Sequence, residues 1–73
     1  MSSMLEDHLR HAEERVALGE RNIVRQRQII ARLRAEGHDP RGAEKLLRAF
    51  EELQRGLVAS RDSLRNMAQE QRK

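Results

Sequence analysis

The 73-residue chain contains no cysteine, no tryptophan and no tyrosine, and Phe50 is its only aromatic residue. Without cysteine there is no disulfide framework and no thiolate metal site, and a reducing compartment is compatible. Without more aromatics there is no platform on which nucleic-acid bases could stack. No apolar run approaches the ~20 residues of a membrane span. Met1-Ser2-Ser3-Met4 leads straight into charged residues, with no apolar leader segment. A cytoplasmic protein without membrane association is the expectation. A chain this short gives one small domain at most, with a core that usually needs self-association or another staple.

Charge is what the chain has in quantity. Charged residues make up 37% of it, and the net charge is +3. An Arg-rich excess points toward nucleic acid or another acidic partner. So polar a composition suits disorder unless a periodic apolar pattern opposes it. Such a pattern runs through nearly the whole chain.

One short stretch divides it. Gly37 supplies a left-handed helix stop, Asp39 is a good N-cap acceptor, and Pro40 fits a first helical position. His38 lies near the carboxyl end of the first helix, where a protonated imidazole is mildly favoured. A stop and a start this close together join antiparallel neighbours. The expected fold is all-α: a two-helix antiparallel, coiled-coil-like hairpin with a helix over about 4–36, a turn at 37–39 and a helix over about 40–71. Fraying is expected over Met1–Met4 and Gln69–Lys73.

In the first arm, Leu5, Leu9, Ala12, Val16, Gly19, Ile23, Gln26, Ile30 and Leu33 follow alternating steps of four and three, a heptad seam. In the second, the same rule selects Ala43, Leu46, Phe50, Leu53, Leu57, Ser60, Leu64 and Met67. The expected core is Leu9, Val16, Ile23, Ile30 and Leu33 against Leu46, Phe50, Leu53, Leu57 and Leu64. Folding the seams together makes residues whose numbers sum to about 79 or 80 face each other. Ile30 then meets Phe50, Gln26 meets Leu53, and Gly19 meets Ser60.

Charge order supports an antiparallel arrangement. Residues 1–20 carry −3, residues 21–35 +5, residues 36–52 −2 and residues 53–73 +3. Doubling back lays the basic part of the first arm along the acidic part of the second, and the acidic N-terminal part along the basic C-terminal part. Each exposed pair is weak, but the pattern disfavours a parallel or slipped alternative. Apolar residues left off the seam, including Ala17, Leu18, Val24, Ile29, Ala31, Leu47 and Val58, fit a second hairpin docking to complete a four-helix bundle. A homodimer is therefore expected, with a different protein partner as the other use of such a surface.

No catalytic constellation is present, and an enzyme is not expected. Two antiparallel helices offer no concave pocket, and there is no Gly-rich phosphate loop. His8 and His11 stand one turn apart without a third or fourth ligand and read as solvated surface residues, so neither a metal nor a cofactor is expected. Arg21, Arg25 and Arg32 lie at helical spacing on an outward face of the first arm. They support an alternative as an RNA- or DNA-binding hairpin dimer, against which stand the acidic second arm and the missing aromatics.

Ala12-Glu13-Glu14-Arg15-Val16, Gly19-Glu20, Ile23, Arg25-Gln26, Ile29-Ile30, Leu33 and Gly37-His38-Asp39, followed by Ala43, Leu46-Leu47, Phe50-Glu51, Gln54 and Arg61-Asp62-Ser63-Leu64, form a pattern over about residues 12–64. It resembles a group of short bacterial helical-hairpin proteins to which no activity is attached. Pro40 departs from that pattern, where a Thr is expected after the Asp. The resemblance implies a hairpin fold and supplies no sites. It singles out Glu20, Gln26 and Gln54 as register or interface polar groups, with Arg25, His38, Asp39 and Glu51 beside them. The main reading is a small protein–protein interaction or oligomerisation module acting as a regulatory adaptor.

Overall fold

The computed structural model describes residues 3–71; Met1, Ser2, Arg72 and Lys73, part of the segments expected to fray, lie outside the described residues. Two helices, α1 (Met4–Ala35) and α2 (Arg41–Gln71), fold back on each other as an all-α hairpin. The rod measures 56 × 19 × 15 Å. Met4 and Gln69–Gln71 are helical. At the start of α1 the Ser3 hydroxyl accepts the Glu6 N–H at 3.0 Å, which supplies one of the four partners that a first turn lacks.

The bend carries the chemistry expected of it. Gly37 has φ 75°, a left-handed conformation without steric cost for glycine. The His38 N–H donates to the Leu33 carbonyl at 2.8 Å, and the Gly37 N–H to the Arg34 carbonyl at 3.2 Å. This is a Schellman closure, which satisfies two carbonyls left open by the end of α1. Asp39 Oδ1 accepts the Arg41 N–H at 3.0 Å, and the Arg41 guanidinium donates to both oxygens of the same carboxylate. Side-chain and then backbone hydrogen bonding from Arg41 holds the Asp39 carboxyl below its ordinary pKa. His38 Nε2 stands 3.5 Å from the Glu36 carboxylate.

The α1 seam lies where its spacing places it: every position from Leu5 to Leu33 on the expected heptad is buried or half-buried. The α2 seam differs in one of its two columns. Ala43, Phe50, Leu57 and Leu64 face α1 as expected, but the other column is Leu47, Gln54, Arg61 and Ala68, one residue later than expected. Leu46 and Leu53, expected in the core, are 46% and 61% exposed, and Met67 is also exposed. Leu47 and Val58, expected off the seam, are half-buried.

One close contact and a row of three ion pairs accompany this rotation of α2. Gly19 leaves a hollow in α1 that admits the Gln54 amide, so close that a Cβ at Gly19 would stand 2.8 Å from Gln54 Cδ. Turning that column inward also carries Glu44, Glu51 and Arg65 to one edge, where they meet Arg34, Arg27 and Glu13. Along the axis the three ion pairs, whose residue numbers each sum to 78, stay within two of the expected register, while two individual contacts differ. Gly19 faces Gln54 rather than Ser60, and Gln26 reaches Ala43 rather than Leu53.

The resulting core is thin. Ala12, Val16, Ile30 and Ala68 are its buried apolar residues, and no described side chain is below 2% exposed. Small cores leave little margin over the conformational entropy lost on folding.

Candidate interaction surface

The hairpin has two unlike edges. Along one, opposite charges face each other across the helix pair: Arg27–Glu51 at 3.3 Å, Arg34–Glu44 at 3.1 Å and Arg65–Glu13 at 3.4 Å. Each joins the chain segments that the charge order matches. These pairs are largely solvated, so each contributes ~0.2–1 kcal/mol and mainly selects orientation. The Ala17, Val24 and Ala31 stripe of α1 is exposed, and Ala31 borders a shallow hollow on this edge with Arg27, Arg34 and Glu44.

Between the edges, two glutamines cross-link the backbones. Gln26 Nε2 donates to the Ala43 carbonyl at 3.0 Å, and Gln54 Nε2 to the Val16 carbonyl at 2.9 Å. Both glutamines are buried, so each is a directional tie inside the seam. Gln54 Oε1 is buried without a hydrogen-bond partner. Glu20, singled out with them, is exposed and borders the hollow formed with Ile23, Glu51 and Gln54.

The other edge is bounded by a face of α2 that sequence reasoning placed in the wrong environment. Leu46, Leu53, Ser60 and Met67 form one column, and Gly42, Ala49, Gly56 and Ser63 form the neighbouring one. Both columns are exposed along their whole length. Not one of these residues is charged, in a chain that is 37% charged. Their spacing alternates four and three, a second heptad seam beside the first. Leu18 borders it from α1, lining one hollow together with Leu53 and Leu57. The signal was available in the sequence: these positions alternate large and small, and the seam reading absorbed half of them.

The glycines here have no explanation inside the hairpin. A Cβ at Gly42 or Gly56 would meet nothing within 4 Å, and neither has a positive φ. An interior helical glycine costs ~1 kcal/mol relative to alanine. Gly56 therefore weakens α2 without relieving any contact within the chain.

The remaining candidates are dispersed. Arg21, Arg25 and Arg32 are exposed, and Arg25 and Arg32 flank a shallow hollow with Gln28, Ile29 and Glu36. Among the described residues none of the three arginines pairs with a carboxylate. His8 and His11 are exposed, and no group of three metal-ligating side chains exists among the described residues. No described helix is long and apolar enough to cross a membrane.

The geometry defines an all-α helical hairpin with one uncharged, exposed face. Comparison with protein-family models, curated proteins and solved structures found no match to the chain.

Proposed function

We propose that the protein is a small, non-enzymatic interaction and oligomerisation module of the cytoplasm, a coiled-coil-like hairpin that works by presenting a docking face and serves as a regulatory adaptor. The observation that carries this reading is the second heptad seam of α2, uncharged and exposed from Gly42 to Met67. Heptad seams bury themselves against helices, and exposed contiguous apolar surface marks association sites. The thin core points the same way.

The test is affinity capture of the tagged chain from the cells that make it, with nuclease treatment, beside an Ala49→Glu variant. A protein, including an untagged copy, retained through nuclease and released by Ala49→Glu supports the reading. Identical retention by both forms overturns it. A second reading, an RNA- or DNA-binding hairpin, rests on the exposed Arg21, Arg25 and Arg32. It requires a low-salt shift of generic RNA or DNA that joint replacement of these arginines by glutamate abolishes.

A further inference from the structure

We propose that the occupant of the exposed α2 seam is a second copy of this chain, lying antiparallel on it about a two-fold axis between Gln54 and Arg55. This deepens the docking reading and rests on it.

The argument begins with shape. One column of the face is mostly large and the other is small. In a parallel pair like columns meet, which stacks leucine on leucine and leaves glycine opposite glycine. Antiparallel packing sets one helix's large column against the other's small column. In the proposed register every position finds its complement without a skip: Leu53 against the partner's Gly56, Leu46 against the partner's Ser63, and Met67 against the partner's Gly42. Ala49 meets the partner's Ser60. A surface complementary to itself under a two-fold rotation describes an isologous dimer contact. The contact runs ~38 Å along the helix, from the 1.5 Å rise per residue.

The glycines then acquire a reason. Gly42 and Gly56 have open space above them within the hairpin, and the partner's Met67 and Leu53 would fill it. Their cost to α2 is offset by close approach of the second helix. Charge on the adjoining solvent side agrees. Arg48 lies one residue from the level of the partner's Asp62, and Glu52 two residues from the level of the partner's Arg55. The exposed Leu18 and Ile29 of α1 border the contact and extend it into a four-helix bundle.

The absence of cysteine from the chain makes single-cysteine cross-linking a direct test. In the proposed register Gly56 stands about 5 Å along the axis from its own copy, whereas Gly42 and Met67 each stand ~38 Å from theirs. Disulfide formation needs Cα atoms within roughly 7 Å. Wild-type protein should sediment as a dimer, and Ala49→Glu as a monomer of unchanged helicity. On mild oxidation Gly56→Cys should form covalent dimer. Gly42→Cys and Met67→Cys should not do so singly, but should cross-link when mixed. A monomeric wild type at high micromolar concentration overturns the proposal, while the docking reading still stands or falls on release by Ala49→Glu in the capture experiment. Cross-linking of Gly42→Cys alone as readily as Gly56→Cys overturns the antiparallel register.

Discussion

Gly19 and Gln54 form an interlock whose energetics can be worked from both sides. Gly19 lies inside α1, so alanine there gains ~1 kcal/mol of helix propensity. The new methyl, however, would occupy the space of the Gln54 amide. That amide must swing out, giving up its 2.9 Å bond to the Val16 carbonyl. A hydrogen bond of this kind contributes ~0.5–1.5 kcal/mol net, and the seam must open to release the side chain. In the wild-type background Gly19→Ala should therefore be neutral or destabilising by ~1 kcal/mol. In a Gln54→Ala background the obstacle is gone, and the same change should stabilise by ~1 kcal/mol. The expected coupling is ~1–2 kcal/mol, within the range for residues in contact. Urea denaturation followed by helical circular dichroism, at matched protein concentrations, measures all four corners of the cycle. If Gly19→Ala gives the same change in both backgrounds to within ~0.5 kcal/mol, the interlock is refuted.

Three further outcomes are expected. Gly37→Ala forces a Cβ into the left-handed conformation at φ 75° and should cost ~1–2 kcal/mol by the same denaturation. Ile30→Ala removes a side chain 5% exposed and should cost ~2–4 kcal/mol, whereas Leu46→Ala should change the stability of the isolated hairpin by less than ~0.5 kcal/mol. The Asp39 carboxyl is held low by Arg41, so its contribution is fully present above the unfolded value of ~3.9 and is lost as pH falls through the lower folded value. Replacing it by asparagine should flatten the acid limb of a melting-temperature profile below about pH 4, leaving the slope above pH 5 unchanged.

Legibility in the sequence differed between the arms for a physical reason. The α1 pattern has one apolar stripe wide enough to be a seam, so periodicity alone located Leu9, Val16, Ile23 and Ile30. The α2 pattern has two, which share a border: Leu47, Gln54, Arg61 and Ala68 on one side of the Phe50 column, Leu46, Leu53, Ser60 and Met67 on the other. Judged by hydrophobicity the second set is the better core, and it was the one expected to be buried. The structure buries the more polar set. That choice sets the Gln54 amide on the Val16 carbonyl across Gly19 and places a row of ion pairs beside it. Of the polar groups singled out, Gln26 and Gln54 bridge the helices, while Glu20 is exposed.

Local chemistry is sufficient for the bend, for the two helices and for their mutual direction, because caps, glycine conformation and charge order act between near neighbours or over whole segments. The rotation of α2 about its axis and the residue opposite each position required the folded pair. They depend on a few atoms from distant parts of the chain meeting at Gly19, and no periodicity encodes such a meeting. With that rotation goes the identity of the face left open to solvent, and hence the surface available for association.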